Sequence, residues 1–257
     1  MAHVATDIAE LAPKWDADAT VVADALANTA VPSEVCAPLG MRMSSTAPAA
    51  STIDSRRLVA AGCPWWKRIV DLAGASAAMI ALSPLFLAIA AYIKYVSRGP
   101  VLYRQTRYGL GGRAFRVWKF RTIEANHAGD DHHIHVSNLM ASDRPLEKRD
   151  HELNIIPGGS WLRDFGIDEL PQLINVLKGE MSLVGPRPDV VPAEHYERWH
   201  QRRFDVLPGI TGLWQVRGKN RTTFKQMMCL DVAYVRRRSF WLDIAILART
   251  IPALLRP

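Results

Sequence analysis

Two carboxylates stand side by side at Asp168-Glu169, ahead of Leu170-Pro171 and a run that continues to Ser182-Leu183-Val184-Gly185-Pro186-Arg187-Pro188. An isolated Asp-Glu pair is usually no more than a helix cap and a first-turn acid. Here the company is basic: Arg163 lies upstream, and the Gly-Pro-Arg-Pro turn downstream presents Arg187. Carboxylates alone repel a phosphorylated substrate. Carboxylates with arginines and a divalent metal can bind one and attack it, because the cations offset charge that develops in the transition state.

These groups need elements to hold them. Leu170, Leu173, Ile174 and Leu177 recur at i, i+3, i+4 and i+7, which predicts a helix with one core-facing stripe that ends at Gly179. Pro171 then falls in the first turn, where its missing N–H costs little. The two acids sit at the partly positive helix N-terminus, which also attracts phosphate. Upstream, Arg98 to Arg121 carries seven Arg or Lys residues and no acid. Val101–Arg104 and Ala114–Phe120 have strand composition, and the glycine-rich Tyr108–Gly112 between them predicts a hairpin. Lys119 and Arg121 are two apart and share a strand face; a solvated face beside anionic lipid is the plainer reading of that charge. Downstream, a polar helix is expected over Ala193–Arg203. The basic loop Arg217–Arg221, with Lys219 at its centre, suits phosphate or nucleotide contact, and Phe240–Leu255 reads as an amphipathic helix at an interface or against the core.

The 257 residues carry a net charge of +7, so an anionic partner is expected: nucleic acid, an acidic membrane surface or a phosphorylated substrate. Three separated cysteines without a CxxC pair indicate neither a disulfide framework nor a zinc site, and the tract His127–His135 reads as a polar loop. Residues 1–62, rich in Ala, Ser, Thr and Pro, are expected to be a disordered extension without a secretory signal, ahead of a catalytic domain at 63–257. From Leu72 to Ile93 no residue is charged, long enough for a bilayer span. Ser83-Pro84 interrupts it at the middle, and basic residues flank both ends: Lys67 and Arg68, then Lys94 and Arg98. That pattern favours a helix-break-helix over about 69–96 that enters and leaves one leaflet, with a kinked spanning helix and a buried core helix as rivals.

The order of segments resembles the monotopic phosphoglycosyl transferases, the bacterial sugar transferases that begin surface polysaccharides on a lipid carrier. The resemblance runs from Lys67-Arg68-Ile69-Val70-Asp71 and Ser83-Pro84 through Gly99–Gln105, Lys119-Phe120-Arg121-Thr122, Asp168–Leu173 and Ser182–Pro188 to Pro208–Gly212 and Asp231 with Tyr234. It implies an α/β (α+β) monotopic membrane enzyme of the exopolysaccharide-initiating type at the cytoplasmic face of the bacterial inner membrane. The reaction implied moves a hexose 1-phosphate from a nucleoside diphosphate sugar, UDP-glucose or UDP-galactose, to undecaprenyl phosphate and releases UMP. Asp168 would be the nucleophile and carry a covalent phosphosugar; Glu169 would bind Mg²⁺; Lys119, Arg121, Arg163, Arg187 and Lys219 would meet phosphate; Asp231 is a weaker candidate. Lys219 stands where the family commonly has arginine, so it keeps the charge without the bidentate fork. Inner-membrane lipids are the expected surroundings, nucleic acid is not expected as a partner, and a homo-oligomer is compatible with the sequence. A basic adaptor and a metal-dependent phosphohydrolase are the competing classes.

Overall fold

The computed structural model describes residues 63–124, 154–217 and 222–254. The expected extension at 1–62, the His127–His135 loop and Lys219 lie outside the described residues.

The apolar segment folds as two helices, α1 (Trp65–Ala81) and α2 (Ser83–Val96), bent by 60° at their junction. No single helix among the described residues is long and apolar enough to cross a membrane, but this bent pair passes the test by length and composition. Proline explains the bend. Pro84 has no N–H to give Ile80 four residues back, and the Ser83 hydroxyl donates to that Ile80 carbonyl instead, at 2.8 Å. The pair turns one face inward and one out. Ala75, Ile89 and Ile93 are buried, whereas Ile69, Ile80, Leu87 and Tyr95 are exposed.

The charges at the start of α1 are anchors. Lys67 is buried and paired with Asp243 at 2.5 Å. Arg68 donates to the carbonyls of Val176 and Leu177, the last turn of another helix, where a cation is favoured. Asp71 accepts from the Ser182 hydroxyl and the Leu183 N–H, both at 2.9 Å. As flanking charge, Lys67 and Arg68 suggested headgroup contact; the fold uses both internally.

Next comes the expected hairpin, β1 (Leu102–Tyr108) and β2 (Ala114–Phe120), antiparallel with Tyr103 opposite Lys119 and Arg107 opposite Phe115. A short helix α3 (Gly159–Asp164) follows, and then the expected helix over 168–178 arrives in two pieces. Ile167–Gln172 is a 3-10 turn; only Leu173–Lys178 (α4) is α-helical. Pro171 disfavours α geometry at Leu170 before it, and the tighter winding shifts the phase of the face. Asp168, Pro171, Gln172, Asn175 and Val176 are therefore buried beside Leu173 of the predicted stripe, Leu177 packs half-buried against the core, and Leu170 and Ile174 are only half-buried. Gly179 does cap α4, in the left-handed region at φ 82°.

Strands β3 (Ser182–Val184) and β4 (Gly209–Thr211) pair in parallel. Where they meet, a Cβ on Gly209 would lie 2.1 Å from the Gly185 nitrogen, so two bare backbones are required. Helices α5 (Leu213–Arg217), α6 (Phe224–Arg237) and α7 (Phe240–Leu254) complete the chain. The Ala193–Arg203 segment is not one helix. It forms two 3-10 turns separated by an extended Tyr196. The described residues are α+β, with two small separate sheets among them. The core lies between the α1–α2 pair and the rest of the domain: Ala75 packs with Val117, Leu173, Val176 and Met181, and Ile89 and Ile93 pack with Phe120, Ile156 and Leu162.

Candidate active site

Gly166, with φ of 66°, lets the chain reverse between α3 and the 3-10 turn that carries both carboxylates. This turn packs along β2, which brings Glu169 to Lys119. The Lys119 ammonium donates to Glu169 Oε1 at 2.8 Å. Arg187 approaches from the other side, with Nη1 on Oε2 at 2.9 Å and Nη2 on Oε1 at 2.5 Å. Burial opposes ionisation of Glu169, but the Arg187 and Lys119 charges and hydrogen bonds override it and hold this carboxyl well below the usual range.

Asp168 has the opposite environment. It is buried at 6 % exposure, and among the described residues no hydrogen bond to its carboxylate is found. Burial, and next the Glu169 charge, raise its pKa against the pull of Lys119, Arg163 and Arg187. Adjacent carboxyls pushed in opposite directions are the usual mark of divided chemical roles.

Arg187 is presented by a clamped loop. Gly185 N–H donates to Thr211 O, and Gly209 N–H to Pro186 O, at 2.9 and 2.8 Å. From behind, Arg203 gives Nη2 to the Arg187 carbonyl and Nη1 to Asp189 Oδ2, both at 2.7 Å. Asp231 lies 2.9 Å from Arg203 but out of line for a hydrogen bond. Burial, only partly offset by Arg203, pushes its pKa up to about 7. Asp231 is thus placed behind the Arg187 loop and supports the site from there.

Of the residues read from sequence, Asp168, Glu169, Lys119 and Arg187 come together, and Arg163 is near enough to act on the Asp168 charge. Arg121 does not join them. The strand ends at Phe120, so two-residue alternation no longer applies, and the Arg121 guanidinium binds Pro100 O, Ser97 Oγ and Ser97 O instead. It braces the exit from α2. Ser83 and Pro84 form the helix break. Two residues carry weight that the motif reading missed. Asn175, fully buried, accepts from Trp118 N–H and donates to Arg116 O, pinning β2 to α4. Arg107 lines, with Val117, Lys119, Gln172, Arg187 and Pro188, a small open hollow. A basic residue among seven basic residues gives no local signal; strand alternation from Lys119 across the ladder was the available clue.

Among the described residues no cluster of three or more His, Cys, Asp or Glu could hold a metal by itself. Glu169, whose Oε2 accepts a single hydrogen bond, offers an oxygen donor of the kind a Mg²⁺ takes together with substrate phosphate and water.

Similar proteins carry related names. A UDP-glucose:undecaprenyl-phosphate glucose-1-phosphate transferase of Caulobacter vibrioides is 39% identical over 198 residues, 74% of this chain and 69% of its own length. The exopolysaccharide production protein ExoY of Sinorhizobium fredii is 38% identical over 190 residues, 73% of this chain and 84% of its own. The galactosyl transferase CpsE of Streptococcus agalactiae is 37% identical over 191 residues, 74% of this chain, but the match spans only 42% of that protein. The bacterial sugar transferase family model matches residues 63–257, a range that holds both carboxylates, the basic hairpin and the Arg187 loop, and the chain belongs to that family.

Proposed function

We propose that this enzyme transfers a hexose 1-phosphate, glucose or galactose, from a UDP-sugar to undecaprenyl phosphate, releasing UMP, as the first membrane step of exopolysaccharide biosynthesis. The observation that carries the reading is the division between Asp168 and Glu169. Glu169 is paired with two cations, while its neighbour keeps a carboxylate with no hydrogen-bond donor among the described residues, raised in basicity and flanked by positive charge. In the first step an Asp168 carboxylate oxygen attacks the sugar-bearing phosphorus. The bond from that phosphorus to the bridging oxygen breaks, UMP leaves, and a phosphosugar remains on Asp168. In the second, an oxygen of the acceptor phosphate attacks the same phosphorus and returns the carboxylate. A covalent route splits one displacement between anions into two easier ones. Lys119, Arg163 and Arg187 lower the repulsion in both steps. Glu169 would hold Mg²⁺, which when bound neutralises phosphate charge.

The acceptor's chain stays in lipid while the donor arrives from water, so both phosphates meet at the interface. The outward apolar face of α1 and α2 supports a monotopic placement on the cytoplasmic face of the inner membrane. The test is mass spectrometry of the full chain incubated with Mg²⁺ and UDP-glucose or UDP-galactose without lipid acceptor. A phosphohexose on the peptide containing Asp168, with equimolar UMP, is expected. UMP release only when acceptor is present, with no adduct, would refute the covalent step, and no release with either sugar would refute the donor assignment.

A further inference from the structure

One cation at the site is left without a task by the chemistry above. Arg107 lies on β1 on the face shared with Lys119, since Lys119 faces Tyr103 and the partners alternate through Gln105–Val117 to Arg107–Phe115. Its side chain lines the hollow bounded by Lys119 and Arg187, and the residue is 8 % exposed. All of its hydrogen-bond partners are neutral. Nε and Nη2 donate to Gln105 Oε1 at 3.2 and 2.7 Å, and Nη1 reaches the Pro188 carbonyl at 3.4 Å. A guanidinium has five donors, so one N–H on each of Nη1 and Nη2 has no protein acceptor among the described residues. The carboxylates that could neutralise it are engaged elsewhere: Glu169 with Lys119 and Arg187, Asp189 with Arg203. Burial and the nearby Arg187 push the Arg107 pKa down to about 10, against a partial offset from the Asp189 and Glu169 charges, so it remains charged at neutral pH. A buried cation with neutral partners is costly unless an anion arrives to meet it.

We infer that Arg107 is a phosphate-binding residue of the active site, its guanidinium held by Gln105 and closing with Lys119 and Arg187 around the phosphate oxygens of a bound substrate. The inference rests on the proposed function for which phosphate is met. The donor diphosphate and the acceptor phosphate present the same chemistry, a tetrahedral anion suited to an arginine fork.

The experiment uses the full chain in lipid nanodiscs as wild type, Arg107→Gln, Arg107→Lys and Gln105→Leu, each with a melting temperature. One arm measures UDP binding by calorimetry; the other measures the KM for undecaprenyl phosphate. In folded Arg107→Gln, one of these is expected to worsen by about tenfold or more, the scale of a lost charged hydrogen bond, and the arm affected identifies the phosphate. Arg107→Lys should recover part of the loss, because it restores the positive charge without the fork. Wild-type values in both arms for Arg107→Gln overturn the inference, as does a loss that lysine leaves untouched. If Arg107→Gln fails to fold, Gln105→Leu decides: a weakened arm supports the inference and wild-type values overturn it. A wild type that binds UDP yet transfers no hexose phosphate would refute the proposed function and leave the binding arm to judge Arg107.

Discussion

Asp168 and Glu169 are neighbours in sequence with unlike surroundings, and that difference makes their variants distinguishable. Asp168→Asn should fold, yet form no adduct and lose at least about a thousandfold in transfer, as expected when a covalent nucleophile is removed. Full activity in that variant would remove Asp168 from the chemistry. The pH dependence carries a sign. Because the Asp168 pKa is raised by burial and then by Glu169, its ionised fraction should fall as pH drops through a range above that of ordinary carboxylates. Single-turnover UMP release without acceptor should show this acid limb. Glu169→Gln removes a like charge and frees Lys119 and Arg187 to face Asp168, so the limb of its surviving rate should move to lower pH; a shift upward would contradict the electrostatic assignment. Much of this was legible in the sequence, since adjacent acids, a preceding glycine and basic residues at separate motifs are local signals. Arg121 and Arg107 were not. Where a strand stops, and which of many cations has neutral partners, depends on contacts made far along the chain.

The Arg187 loop is held as an element through Arg203, whose two carboxylate partners differ. Asp189 receives an in-line hydrogen bond and is held below the usual range despite its burial. Asp231 does not, and its pKa is pushed up to about 7 by burial. The native Asp231 thus keeps its proton through a window, from about 4 to about 7, in which the unfolded chain has released it. The native state binds more protons there, so this group's contribution to stability falls as pH rises. Asp231→Asn should flatten the decline in melting temperature between pH 5 and pH 7.5 by several degrees; an unchanged slope would mean that Asp231 is ionised throughout. At this scale the hairpin β1–β2, the break at Ser83-Pro84 and the cap at Gly179 followed from composition and turn residues. The helix over 168–178 did not survive intact, because Pro171 imposes a tighter turn that hydrophobic spacing does not report.

For the molecule as a whole, the outer face of α1 and α2 leaves Ile69, Ile80, Leu87 and Tyr95 exposed, and α7 adds Trp241 and Ile251. Singly such residues are ordinary; together on helices they mark a surface meant to be covered. Placing aspartates at Ile80 and Leu87 should abolish flotation with liposomes while leaving UDP binding within about twofold, because neither residue belongs to the buried clusters. Flotation equal to wild type would place the lipid contact elsewhere. The mooring of the hairpin has a further consequence. Ala75, Ile89 and Ile93 are shared with the domain's core, and Lys67, Arg68 and Asp71 tie α1 to α7, α4 and β3. The α1–α2 pair is therefore an inner wall of the domain, and a fragment starting after Val96 would not be a water-soluble version of the enzyme. It would open both clusters to solvent, strand Asp243 without its lysine and loosen the strand that leads into the Arg187 turn.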